Sequence, residues 1–220
     1  MTTLTHDQAM KMLFSNRALT IGSLLEIVDK NRQRVPLKPN PIQLDVLENS
    51  GLRDIYVKPA QVGFTSIIVG DFFIDNITIN GTVSVIVSYD EFSAQRQILK
   101  AKLYHQSLAR KIPSIPKLDH KSATELSWED KETNFSSTMY IFSARGYVMG
   151  RGEAIHDLLL DEYAFYPIGT HENIMASAVR RVPLSPNTKI RIASTANGED
   201  NPFCEAYRSA KEGSAIEQST

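Results

Sequence analysis

The chain has 220 residues, 24 basic and 25 acidic, for a formal net charge of −1. With 42% hydrophobic and 22% charged residues, it fits one domain that buries its own core, with room for a small appended subdomain. This composition excludes a disordered chain and a global basic field for nucleic acid, so any DNA contact must be local. The lone Cys204 excludes an internal disulfide; a reducing compartment is expected, and no apolar run approaches the ~20 residues of a membrane helix.

Residues 1–35 are polar with scattered apolar positions and read as a helical or irregular segment. Three prolines between Val35 and Pro41 break regular structure, and Ile42, Leu44, Val46 and Leu47 then suggest a short amphipathic helix. An alternating pattern follows. Asp54–Val57 reads as a short buried strand, 65–79 as an apolar helix, and 82–88, rich in β-branched residues, as a strand. Residues 91–110 read as a long helix. The stretch 111–135, with Pro113, Pro116 and many charges, reads as a loop or small excursion, in which Trp128 covers a satellite core. Strands are expected at 138–142, 158–160 and 189–193, and helices at 171–181 and 203–211. Strands alternating with helices imply an α/β domain with a mainly parallel sheet, whose ligands bind at the carboxyl ends of the strands.

Three predicted strands end in polar residues suited to chemistry. The first runs into Lys58-Pro59-Ala60-Gln61-Val62-Gly63-Phe64-Thr65-Ser66. In the ordinary phosphate loop, G-x-x-x-x-G-K-[ST], a glycine-rich turn cradles phosphates on backbone N–H groups, and a lysine and a hydroxyl follow the second glycine. Gly63 and Thr65 fit the second glycine and the magnesium-binding hydroxyl. Phe64 stands at the lysine position, and Lys58 stands where the first glycine belongs. The cation has moved to the start of the loop, from which it can reach the phosphates from the other side. Read alone, the segment is equally compatible with a plain strand–turn–helix.

The second such strand, Leu158-Leu159-Leu160, ends in Asp161-Glu162. A buried strand delivers Asp161 to the sheet edge, where it can hold magnesium, and Glu162 one step beyond can orient a water attacking the terminal phosphate. The bland reading is a strand ending in solvated acids; a phosphate loop upstream favours the chemical one. The third strand ends in Ser194-Thr195-Ala196-Asn197-Gly198, whose hydroxyls can sense the terminal phosphate, although the same residues form ordinary turns.

Together the three motifs resemble the ATPase domain of bacteriophage large terminases, across roughly residues 36–212. That family often carries its phosphate-loop cation early, in a pattern that Lys58, Gln61, Gly63 and Thr65 match. Its acid pair follows an Arg-Gly dipeptide, as Asp161-Glu162 follows Arg151-Gly152, and its coupling motif is similar to 194–198 followed by Phe203. A Pro-x-Gln glutamine often contacts adenine, and Pro41-Ile42-Gln43 is similar. The resemblance implies a P-loop NTPase of the ASCE type. Its ATPase core spans 36–198, with 1–35 before it and a helical lid or linker segment, 199–220, after it. It implies ATP and magnesium as ligands, with Gln43, Lys58, Gln61, Val62, Gly63, Phe64, Thr65 and Ser66 on the nucleotide and Thr65 and Asp161 on the metal. Glu162, Lys58 and Arg151 are the catalytic candidates, and Ser194, Thr195 and Asn197 the coupling ones.

Arg151 is implied as a finger reaching a neighbouring subunit's nucleotide, and Arg145, in a similar Arg-Gly setting, competes for the role. Expected partners are double-stranded DNA, a portal protein, a small terminase subunit and further copies in a ring on the capsid, in the host cytoplasm and without a membrane. The nuclease domain that usually follows is expected to lie outside these residues, so no nuclease activity is expected. The readings weighed against this one are a superfamily-2-like helicase or translocase motor, and a non-hydrolysing nucleotide-binding module. The first normally keeps a lysine where Phe64 stands; the second has no need of Glu162.

Overall fold

The computed structural model describes residues 14–146 and 153–213. It begins with helix α1 (Arg17–Leu24), capped by the Asn16 side chain, which accepts from the Leu19 N–H at 2.8 Å. A two-stranded ribbon follows, β1 (Glu26–Val28) and β2 (Arg34–Pro36). Helix α2 (Pro41–Asn49) starts where the sequence places it, with Pro41 in its first turn and a reciprocal cap between Asn40 and Gln43. Then come β3 (Arg53–Val57), α3 (Phe64–Thr78), β4 (Val83–Ser88) and α4 (Glu91–Lys111). The second half contains β5 (Lys117–Lys121), β6 (Glu125–Asp130), β7 (Phe135–Ser143), β8 (Asp157–Asp161), α5 (Thr170–Ser177), β9 (Lys189–Ser194) and α6 (Pro202–Lys211).

The described residues form a seven-stranded sheet in the order β3-β9-β8-β4-β7-β6-β5. The first five strands are mutually parallel, and β6 and β5 extend the sheet antiparallel. Alternation along the strands sends successive side chains to opposite faces. Ile86, Ile141 and Leu159 face a core built with Ile21, Phe72, Phe73, Ile98 and Tyr104 of α1, α3 and α4. Val85, Val87, Leu158, Leu160, Ile190 and Ile192 face the second core, with Tyr163, Tyr166, Ile174 and Phe203. The result is a three-layer α/β/α domain. The interior strand β8 is buried at every position, which is why that segment reads as an unbroken apolar run.

Three sequence expectations are corrected. The strand at 54–57 is an edge strand: among the described residues β3 pairs only with β9, and it is half-buried, with Val57 48% exposed. The stretch 111–135 is more than a loop, because eleven of its 25 residues form β5 and β6. Trp128 on β6 is fully buried in the main core, edge-on to Phe73 at 5.7 Å, and donates from Nε1 to His105 Nδ1 at 3.1 Å. Charges on the outward face of β6 hid its inward pair, Leu126 and Trp128.

Candidate active site

The strand order places three polar strand ends side by side. β9 lies between β3, which leads into the phosphate loop, and β8, which ends in the acids. All three run parallel, so Lys58, Asp161-Glu162 and Ser194-Thr195 emerge at one carboxyl edge.

The loop is shaped by backbone geometry that side-chain-bearing residues rarely adopt. Gln61 has φ +60 and Gly63 φ +70. The positive φ favours glycine at 63, and a Cβ there would lie 2.7 Å from Gln43 Nε2 and displace that side chain. Gly63 also starts α3 and offers no side-chain cap, leaving the first N–H groups of a 15-residue helix to take an anionic oxygen. Gln43 holds the loop from behind. Its Nε2 donates to the carbonyls of Val62 at 3.1 Å and Gly63 at 3.0 Å, and its Oε1 accepts from the Asn40 N–H at 3.0 Å. The glutamine that the resemblance puts against adenine therefore has its amide engaged with loop backbone.

Phe64, counted among the nucleotide-binding positions, turns its side chain into the core, 4% exposed and edge-on to Tyr56 at 4.9 Å. Ser66 lines the cavity over the loop, and its carbonyl accepts from the Tyr104 hydroxyl at 3.0 Å. Thr65 Oγ1 donates to Asp161 Oδ1 at 2.8 Å. A hydroxyl and a carboxylate oxygen so placed are a fitting pair for magnesium, which takes one or two protein oxygens and completes its shell with phosphate and water. Among the described residues there is no group of three His, Cys, Asp or Glu that could hold a metal ion.

Lys58 is nearly buried. Its ammonium donates to Glu162 Oε1 and lies 3.7 Å from Asp161 Oδ1, while its backbone N–H donates to the Ser194 carbonyl at 2.9 Å. Glu162 has φ +57, a left-handed conformation unusual for a residue with a side chain and commonest at functional sites. Its Oε2 accepts from the Thr195 N–H at 3.1 Å, the Thr195 hydroxyl at 3.3 Å and the Ser194 hydroxyl at 3.4 Å. Burial pushes the Glu162 carboxyl up, but the bonds from Lys58 and Thr195 outweigh it and hold the group below its ordinary value. Asp161 moves the other way: burial raises it, against Lys58 and Thr65. Asn197 Nδ2 donates to the Ala164 carbonyl at 3.0 Å, and the Ala164 N–H donates to Ser194 Oγ at 3.2 Å. The third motif thus grips both Glu162 and the short 3-10 turn at Tyr163–Phe165 that follows it.

A cavity of about 890 Å³ opens over the loop, lined by Lys58, residues 61–66 and Glu162. Its far wall is α4, with Arg96 and Lys100. These two basic residues were not legible in the sequence: they sit on a long helix whose charged positions look like a solvated face. Arg151 lies outside the described residues. Arg145 is exposed just beyond β7, beside a separate cavity of about 620 Å³ that Tyr89 and Phe165 also line.

No protein-family model matches the sequence, and no curated protein matches it. Solved structures do. The ATPase domain of the Thermus phage P74-26 large terminase, in an arginine-to-alanine mutant form, is 18% identical with a TM-score of 0.62, over 76% of this chain and 69% of that one. The HK97 bacteriophage large terminase is 14% identical with a TM-score of 0.68, over 91% of this chain and 42% of that one. A third large terminase, from another thermophilic bacteriophage and in complex with ADP, is 16% identical with a TM-score of 0.57, over 79% of this chain and 43% of that one. The chain is thus a P-loop NTPase fold, with an extra strand between the loop strand and the acid strand. Within that class its architecture is similar to that of large-terminase ATPase domains.

Proposed function

We propose that the chain is a magnesium-dependent ATPase that powers the movement of double-stranded viral DNA into a procapsid, working with a portal protein, a small terminase subunit and further copies of itself in the host cytoplasm. One observation carries the reading: Lys58, Asp161, Glu162, Ser194 and Thr195, from three separate strand ends, share one bonded cluster at the mouth of a helix N-terminus. The third of the similar large terminases, seen with ADP and also with ATP-gamma-S, lends support from a protein of like fold.

The residues suggest an order of events. The triphosphate of ATP enters the loop and meets the first N–H groups of α3. Lys58 leaves Glu162 for the phosphate oxygens, where the negative charge is greater. Thr65 and Asp161 would hold magnesium, which would supply positive charge against the charge developing on the phosphate. Glu162 loses the cation that depressed its proton affinity and becomes a better base for an attacking water. Its carboxylate stays oriented by Thr195 and Ser194, so the change in charge at the phosphate is felt at the end of β9 and, through Asn197, in the turn after Glu162.

Phosphate release measured with and without magnesium tests this. The wild-type protein should turn over ATP only with the metal. Glu162→Gln should bind ATP normally and lose about 10²-fold or more of turnover, the scale of a general base. Loss of binding and turnover together would make Glu162 a structural residue. Equal turnover after chelation would remove magnesium from the scheme.

A further inference from the structure

The phosphate loop itself carries one cation, Lys58, and that cation is already paired with Glu162. The position that ordinarily carries the loop lysine holds Phe64, whose ring is in the core. Lys58 and the magnesium of the proposed scheme together bring three positive charges, fewer than the four of a fully ionised triphosphate.

The opposite wall of the cavity supplies more. Arg96 and Lys100 stand one turn apart on α4 and line the same cavity as Lys58, Gly63, Thr65 and Glu162. Lys100 is half-buried, and its ammonium meets a single partner among the described residues, the neutral Gln97 amide oxygen at 3.0 Å. Burial lowers its pKa to about 8, with Asp161 opposing and Arg96 and Lys58 reinforcing. An ammonium in a partly buried site without a carboxylate partner lacks a counter-charge, and an incoming phosphate is such a charge. Lys100 shares its cavity with Lys58 and Glu162, where the ATPase reading places the last phosphate.

We infer that Lys100 is a nucleotide-binding residue that contacts the terminal phosphate of ATP, supplying from α4 the second cation that the phosphate loop lacks. The inference rests on the ATPase reading. It predicts that Lys100 separates ATP from ADP, since only ATP has a phosphate at that end.

Titrate ATP and ADP in magnesium into wild type, Lys100→Met and Lys100→Arg, and follow thermal unfolding of each without nucleotide. Lys100→Met keeps the packing of the stem and removes the charge. It should weaken ATP about ten- to a hundredfold, the scale of a charged hydrogen bond, and ADP much less, with the nucleotide-free melting temperature held. Lys100→Arg should recover most of the ATP affinity. Wild-type ATP affinity in Lys100→Met would overturn the inference and leave the ATPase reading standing. An equal loss for both nucleotides would overturn the terminal-phosphate assignment, and a lower melting temperature in Lys100→Met with wild-type selectivity would make Lys100 a structural residue. If wild type itself bound neither nucleotide, the ATPase reading would fall first and the role of Lys100 with it.

Discussion

At the scale of single residues, the proposed function gives Lys58 two jobs that exclude one another. In the structure it is the counter-ion of Glu162; with a nucleotide bound it would be needed at the phosphates. Lys58→Ala should therefore weaken ATP by about a hundredfold or more, taking two charged hydrogen bonds at about 1.5–3 kcal/mol each. The measurement is a titration with ATP and magnesium; wild-type affinity and turnover in the variant would end the shifted-lysine reading. The early lysine was legible in the sequence because Gly63 and Thr65 fix the register of the loop, so Lys58 could be counted back from them. The fate of Phe64 was not. Spacing says which residue follows the glycine, but only packing shows its ring buried against Tyr56. Gln43 differs in the same way: its position was found, while its bonds to Val62 and Gly63 depend on how α2 meets the loop.

At the scale of elements, the alternation of strands and helices was readable because β4, β8 and β9 are short apolar runs between clear helices. The antiparallel extension was not, because β5, Lys117–Lys121, is exposed along most of its length and looks like a charged loop. Its neighbour β6 matters to the core. Trp128→Ala should destabilise the domain by about 3–5 kcal/mol, as large aromatic truncations in cores do, and denaturant unfolding measures it. A loss under about 1 kcal/mol would return Trp128 to a peripheral site. The amino end of the sheet holds a second polar cluster that no motif announced. Arg17 of α1 and Lys189 of β9 pair with Asp71 and Asp75 of α3, while Ser84 of β4 donates to Asp157 Oδ2 of β8 at 2.9 Å. Burial, then the nearby Asp75 and, against Lys189, Asp71, hold the Asp157 carboxyl well above its ordinary range. The folded chain thus keeps a proton that the unfolded chain releases above its ordinary pKa of about 4. The stability tied to that proton is full at low pH and is lost as pH rises through the folded value. Asp157→Asn keeps an acceptor for Ser84 and needs no proton. Its melting temperature relative to wild type should climb as pH rises above the ordinary carboxylate range; a difference that is flat or falls would show that Asp157 is ionised in the fold.

At the scale of the whole molecule, a net charge of −1 gives the domain little long-range attraction for DNA, so its work on DNA would belong to an assembly rather than to one copy. An arginine supplied by a neighbour has the same consequence for catalysis. If Arg151 acts in trans, a monomer has an incomplete site, and the isolated domain should be a slow ATPase whose specific activity rises with protein concentration. A finger of this kind is worth about 10³–10⁵ in rate, so the rise should be large once rings form. Mixing two inactive variants separates trans from cis. Arg151→Ala lacks the finger but keeps its own Lys58, Asp161 and Glu162. Glu162→Gln lacks the water-activating carboxylate but keeps its arginine. In a mixed ring some interfaces set an intact site beside an intact finger, so activity should partly return, in proportion to the interfaces of that kind. Arg145 is the control: it is exposed beyond β7 at the same sheet edge, and Arg145→Ala mixed with Glu162→Gln asks the same question of it. Recovery with one arginine variant and wild-type activity in the other alone assigns the finger. If Arg151→Ala and Glu162→Gln stay inactive together where wild type assembles and turns over, the arginine acts within its own subunit, and the ring is then needed for DNA rather than for hydrolysis.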